Sequence, residues 1–208
     1  MSGKIIDITR PLSSSTACWP GDVPTRLERR ANLADGDSVN LSTLTASVHN
    51  ATHVDAPLHY DDAGVDIAQL DVSLYVGPCR VVDCRDLPDP IPASTFEGIT
   101  LPPRVLLKTG GWPDSGVFPR DFAVLAEDAP AAMARAGVKL VGVDVPSVDK
   151  PDSKTLPIHH AIHRAGLLIL ESLDLSAVEA GEYELIALPL LMPGSDGSYV
   201  RAILRALP

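Results

Sequence analysis

Three short apolar runs, separated by helical segments, constrain this chain more than any other feature. RVLLKT (104–109), KLVGVDV (139–145) and LLIL (167–170) are continuous or nearly continuous apolar segments. Each lacks the polar alternation of a strand with one face in water, so each reads as a strand buried on both faces, the usual state within a parallel sheet. Between them lie EDAPAAMARAG (127–137) and IHHAIHRAG (158–166), two helices stopped by Gly137 and Gly166. Strand–helix–strand–helix–strand requires crossover connections and a parallel arrangement. The expected fold is α/β, a mixed β-sheet core with a parallel βαβαβ portion flanked by helices. A chain of 208 residues suits one domain, taken as 1–208.

The remaining segments extend the sheet. KIIDIT (4–9), YVGPCRVVDC (75–84) and YELIALPL (183–190) read as strands, and YVRAILRAL (199–207) alternates as one further strand. VNLSTLTASVH (39–49) is rich in β-branched residues and alternates Leu41, Thr43, Thr45 and Ser47 against Ser42, Leu44, Ala46 and Val48. It is expected to be a half-buried strand running into residue 49. Trp19-Pro20-Gly21-Asp22 has the composition of a tight turn presenting an indole, although a tryptophan packed on the core fits equally. A net charge of −10 argues against nucleic acid and anionic membrane as partners. No apolar run suits a signal peptide or a membrane span, and the three cysteines, Cys18, Cys79 and Cys84, show no C-x-x-C spacing. A reducing cytoplasm with unpaired thiols is expected, with Cys79 and Cys84 on opposite faces of their strand.

The candidate chemistry begins at residues 49 to 60. His49, His53, Asp55 and His59 bring three of the six histidines and a carboxylate into eleven residues. Imidazole and carboxylate are the ligands that zinc and its neighbours in the first transition series favour. On a straight strand His49 and His53 would stand roughly 13 Å apart, far beyond the reach of one ion with ligands at about 2 Å. A regular helix would pair the two histidines but aim Asp55 elsewhere. The stretch is therefore expected to be a strand ending at His49, a tight turn at Asn50 and Ala51, and a loop that folds the other groups back.

The other three histidines, His159, His160 and His163, all lie in the helix before the last parallel strand. His159 and His163 share a face and His160 lies about 100° round, so the three do not converge on one point. Asp144 and Glu171 follow parallel strands, at the edge where open sheets build sites. Glu171 is placed to meet a histidine from the preceding helix. Asp144 reads either as support for the same edge or as a turn former. The two clusters hold enough ligands for two ions bridged by Asp55, and two ions roughly 3.5–4 Å apart can hold a hydroxide and polarise a carbonyl together.

At these residues the sequence resembles the bacterial kynurenine formamidases (arylformamidases) of the metal-dependent cyclase family. That family's motif H-x-G-T-H-x-D-x-P-x-H is met by residues 49–59 as HNATHVDAPLH, with Ala51 in place of the glycine. The opening DIT-PL, the W-P-G-D turn, GVDVPSVD (142–149), SKTLPIHHAIHRAG (153–166), ILESL (169–173) and ELIALPL (184–190) match as well. The resemblance covers essentially the whole chain and implies a swivelling β/β/α-like arrangement of the sheet. It implies that His49, His53 and Asp55 bind a first zinc, and that Asp55, Glu171 and a histidine twelve residues before it bind a second. His159 fits that spacing and His160 is the fallback. His59 resembles the catalytic acid/base and Trp19 the contact to an aromatic substrate. An alanine held at positive φ in place of the glycine would carry strain of order 1 kcal/mol.

The activity implied is hydrolysis of N-formyl-L-kynurenine to L-kynurenine and formate in tryptophan degradation, with an aryl formamide as small-molecule partner and a homodimer as the assembly. Manganese, cobalt and iron suit the same ligands as zinc. Two alternatives use the same residues. One is a sibling amidohydrolase opening a cyclic amide or imide such as an isatin-like ring. The other is a metal-binding module without chemistry, in which His59 is incidental and the ion is closed off by four protein ligands.

Overall fold

The computed structural model describes residues 3–207. Residues 1, 2 and 208, at the ends of the expected domain, lie outside the described residues. In chain order the strands are β1 (Ile5–Asp7), β2 (Arg26–Ala31), β3 (Leu41–Thr45), β4 (His53–Asp55), β5 (Val76–Asp83), β6 (Arg104–Lys108), β7 (Leu140–Val143), β8 (Leu168–Glu171), β9 (Gly181–Ile186), β10 (Gly197–Tyr199) and β11 (Ile203–Ala206). Two α-helices, α1 (Ala129–Arg135) and α2 (Pro157–Arg164), connect β6 to β7 and β7 to β8.

Nine strands form one mixed sheet in the order β1-β11-β9-β5-β6-β7-β8-β4-β10. Strands β5 to β8 are parallel neighbours, and every other pairing is antiparallel. The βαβαβ portion expected from the apolar runs is β6-α1-β7-α2-β8, and all residues of β6 and β7 are buried. Their alternate side chains enter two separate cores. Val105, Leu107, Val141, Val143 and Ile169 pack with Met133 and Ile162 of the helices. Leu106, Leu140 and Leu170 pack on the opposite face with Ile8, Val54, Leu185 and Leu204. Cys79 falls in the second core and Cys84 in the first, on opposite faces as their spacing requires.

Both helices thus cover one face only. The other face is covered by the sheet itself, whose wings roll toward each other. Although β1 and β8 are far apart in strand order, Thr9 bridges Leu173 and Asp174 N donates to Ile8 O at 2.9 Å. Twisted sheets of this many strands commonly curl in this way.

Two expected strands differ from what forms. Residues 199–207 divide into β10 and β11, which pair with opposite wings of the sheet, because the chain crosses from β4 to β9 between them. Residues 39–49 do not make a half-buried strand leading to His49. Only Leu41–Thr45 is extended, and it pairs with β2 in a separate ribbon whose two strands are almost wholly exposed. The alternation there is real but neither side meets the core: Leu27 pairs across the ribbon with Leu44, and the two are 71% and 46% exposed. After β3 the chain enters a turn, fastened by Asn50 Nδ2 donating to Val23 O at 2.8 Å and by Tyr199 OH donating to Ser47 O at 2.6 Å.

Candidate active site and metal centre

The parallel strands end at one edge of the sheet, and three chain segments deliver ligand-type side chains there. Glu171 is the last residue of β8. A helix connecting parallel strands runs back along the sheet, so the first turn of α2, with His159, lies at the same edge. Strand β4 runs antiparallel to β8 and sets His53 opposite Glu171 in register. Asp55, two residues on, shares the face of His53. The expected order of strand, turn and loop is therefore corrected. His49 sits in the turn, His53 and Asp55 are the strand, and His59 ends a 3-10 turn at Pro57–His59. The turn at Ala51 lets His49 fold back on the strand.

The resulting distances are short. Asp55 Oδ1 stands 2.9 Å from His49 Nδ1 and 3.2 Å from His53 Nε2, while Asp55 Oδ2 stands 3.5 Å from His159 Nε2. Glu171 Oε2 is 3.4 Å from His53 Nε2 and Oε1 is 3.7 Å from His159 Nε2. The Asp55 carboxylate therefore lies between His49 and His53 on one side and His159 on the other. His160 and His163 turn elsewhere: their rings pack about Tyr60, and His163 faces Asp61 at 3.7 Å near the surface.

The donor set fits a divalent metal ion. His53 Nε2 and Asp55 Oδ2 are buried and make no hydrogen bond, although each has ligand-type atoms within 3.5 Å. Buried polar atoms normally find partners, and neutral nitrogen with carboxylate oxygen is a metal's complement. The opposite ring nitrogens are already engaged. His53 Nδ1 bonds Ala51 O at 2.9 Å, and His159 Nδ1 bonds Asp149 Oδ2 at 2.7 Å. Each such contact fixes a ring so that Nε2 presents its lone pair to the centre. Glu171 Oε1 is held by Val148 N at 2.8 Å.

The electrostatics of the protein without metal follow from this crowding. Burial lowers the pKa of His49, His53 and His159, but the neighbouring carboxylates outweigh it. Asp196 and Asp55 push His49 up to about 9. Asp55 and Glu171 push His53 up to about 10, and Asp149 and Asp55 do the same to His159, to about 10. Burial works against the Asp55 carboxylate, yet its three histidine partners hold it well below the usual range. His59 moves the other way. Burial and the neighbouring His49 and His159 lower it, opposed by Asp55 and Glu171.

His59 borders a cavity of about 310 Å³ above this cluster. Its Nδ1 is 3.3 Å from Asp196 Oδ2, and its ring centroid is 3.9 Å from that of His49. The cavity wall carries Trp19, Phe118 and Trp112, with Trp19 meeting Phe118 edge to face at 5.2 Å and 78°. The indole of the W-P-G-D turn therefore faces the cavity and is not a core filler.

Residues 6–150 match the Cyclase family ("Putative cyclase"). The kynurenine formamidase of Geobacillus thermodenitrificans is 40% identical over 100% of both chains, and that of Bacillus cereus is 42% identical over 97% of each. The chain belongs to the cyclase family. A solved structure described as a predicted metal-dependent hydrolase from Bacillus stearothermophilus is 28% identical, with 97% of each chain covered and a TM-score of 0.80. An isatin hydrolase bound to thioisatinate shares the fold at 21% identity and a TM-score of 0.80, over 99% of this chain and 93% of that one.

Two carboxylates of this cyclase-family site are missing from the sequence reading. Asp149 orients His159, and Asp196 Oδ2 lies 3.0 Å from His49 Nε2 as well as near His59. Neither has a sequence spacing that ties it to a histidine. A weak signal exists for Asp196 in the small residues around it. Gly197 lies against His49, where a Cβ would come within 2.8 Å of the ring, so only glycine permits the approach. Asp144 supports a loop at the same edge and does not form its own turn: its carboxylate accepts from Thr109 N at 3.0 Å and Gly110 N at 2.9 Å, in the segment just after β6.

Proposed function

We propose that this protein is an arylformamidase that hydrolyses N-formyl-L-kynurenine to L-kynurenine and formate in tryptophan degradation. The observation that carries the reading is a ligand cluster with an adjacent histidine, opening into an aromatic-walled cavity, in a chain 40% identical end to end to a kynurenine formamidase. In this reading the whole chain is one metal-dependent hydrolase domain. His49, His53 and Asp55 hold one zinc ion, and Asp55, His159 and Glu171 hold a second, with manganese, cobalt or iron as possible occupants of the same ligands. When bound, the ions supply Lewis acidity at the formyl oxygen and lower the pKa of water toward neutrality.

The chain's own groups do the rest. Trp19 receives the aminophenyl ring, a contact worth about 0.5–1.5 kcal/mol. His59 takes the proton from the attacking water and delivers it to the amine nitrogen as the C–N bond breaks. Its lowered pKa keeps the ring neutral and able to accept that proton, and Asp196 beside Nδ1 favours the tautomer with Nε2 free. The enzyme is read as cytoplasmic and homodimeric, the exposed leucines of the β2–β3 ribbon supporting a second subunit.

The test is His59→Ala with metal analysis alongside. The variant is expected to keep about two ions per chain while turnover on N-formyl-L-kynurenine drops at least a hundredfold or so, within the usual range for a lost acid/base. Retained wild-type turnover would remove His59 from the mechanism, and full activity with fewer than about two ions would remove the binuclear site. The shared fold with isatin hydrolase favours one second reading, ring opening of an isatin-like amide. Faster turnover of isatin than of N-formyl-L-kynurenine would select it.

A further inference from the structure

Arg10 lies outside the ligand cluster and has no part in the chemistry above, yet its guanidinium is buried, with the residue only 7% exposed. A buried cation is costly unless compensated. Its compensation is unusual, because Asp144 and Asp174 act on it only through space. Instead Nη2 donates to Trp112 O at 2.8 Å and to Asp144 O at 3.1 Å, and the guanidinium carbon lies 4.4 Å from the centroid of the Trp112 ring. One side chain thus grips both the backbone and the indole of the same residue, and ties them to the chain just beyond β7. Nε is left without a partner.

The segment held in this way needs holding. Residues 110 to 120 form no helix or strand. Trp112 is 4% exposed, donates Nε1–H to Val117 O at 2.9 Å and packs against Phe118 at 6.4 Å. Phe118 in turn meets Trp19, and all three rings line the cavity. Arg10 also reaches back to the catalytic edge through its backbone, donating to Thr52 Oγ1 at 2.8 Å, whose hydroxyl donates to Ser172 O at 2.6 Å.

We propose that Arg10 is the positioning residue of the aromatic wall: by clamping Trp112 it sets the place of Phe118 and Trp19, and so the fit of the substrate's ring. The link to the substrate ring rests on the arylformamidase reading, while the clamp does not. Because the clamp acts on ring binding and not on the formyl carbon, its loss should appear in KM and leave kcat nearly unchanged. Lysine replaces it only in part: its ammonium can donate to carbonyls, but it has no planar face to lay on the indole.

The test combines kinetics with quenching. In Arg10→Met, KM for N-formyl-L-kynurenine should rise about tenfold, kcat should stay within about twofold, and bound metal should be unchanged. The chain has two tryptophans, so in a Trp19→Phe background Trp112 reports alone. There Arg10→Met should raise its acrylamide quenching constant about twofold or more as the segment loosens. Arg10→Lys should fall between the natural chain and Arg10→Met in both readouts, and it carries the test if the methionine variant does not fold. Unchanged quenching overturns the clamp. Increased quenching with unchanged KM, or a fall in kcat alone, overturns its role in ring fit. If the natural chain does not turn over N-formyl-L-kynurenine, the functional reading fails while quenching still decides the clamp.

Discussion

Ala51 is the residue at which this chain departs from the motif it otherwise matches, and the backbone shows the consequence. It is held at φ 56, in the left-handed region, with 4% of its surface exposed. Its carbonyl accepts from His53 Nδ1, so the turn cannot relax without releasing the His53 ring. A glycine would adopt this conformation freely, whereas alanine there is strained by more than the entropy it saves in the unfolded chain. Ala51→Gly should therefore stabilise the fold by up to about 1 kcal/mol, a rise in Tm of roughly 2–4 °C for a chain of this size. A lower Tm in calorimetry would show that the alanine is not strained. At this scale the histidine stretch was legible, because ligand chemistry is written in residue type and the motif lies within one short segment. Asp149 and Asp196 were not, because a carboxylate that orients a histidine need only be near it in space.

Helix α2 shows how an element converts such a distant carboxylate into site geometry. Its first turn has no side-chain cap of its own, since Leu156 occupies the N-cap position at φ 45. Asp149 serves instead, accepting from Ile158 N and His159 N at 3.0 Å each while also holding His159 Nδ1. One carboxylate thus caps the helix and aims its histidine. The two roles separate by substitution. Asp149→Asn keeps an oxygen acceptor but removes the charge facing His159, and should weaken metal affinity about 10- to 100-fold. Asp149→Ala should show the same loss and in addition cost about 1 kcal/mol as the cap disappears. Chelator competition and thermal melts distinguish the two, and equal effects of both variants on both measurements would refute the division. Legibility at this scale followed burial. The parallel strands were readable because both faces are buried and their apolar runs are continuous. Residues 39–49 differ from the expected half-buried strand because alternation signals a strand but not which side, if either, meets a core.

Across the whole molecule, the curl of the sheet brings β1 against the end of β8, a long-range contact that no local pattern encodes. The rolled edge and the first turn of α2 enclose three histidines among carboxylates, and that concentration of charge couples protonation of the site to the stability of the entire fold. Without metal, His49 titrates near 9 and His53 and His159 near 10, all above the ordinary imidazole value of 6.5. A raised folded pKa contributes stability that is fully present below the unfolded value and is lost as pH rises through the folded value. Asp55, whose pKa is depressed, contributes in the opposite sense, its share disappearing only as pH falls below the usual carboxylate range. The metal-stripped protein should therefore lose stability steadily from about pH 6.5 toward pH 10, as the imidazoles deprotonate and the paired charges vanish. Metal held by these imidazoles, as proposed, should reverse that trend, because it requires neutral imidazole and competes with the same protons. The gap in Tm between metal-loaded and chelator-treated protein should thus widen from pH 6.5 to pH 9, as protons cease to compete. A gap that stays constant over that range would mean that the three histidines are not protonated in the metal-free fold, and that their neighbouring carboxylates do not hold the site together when the ions leave.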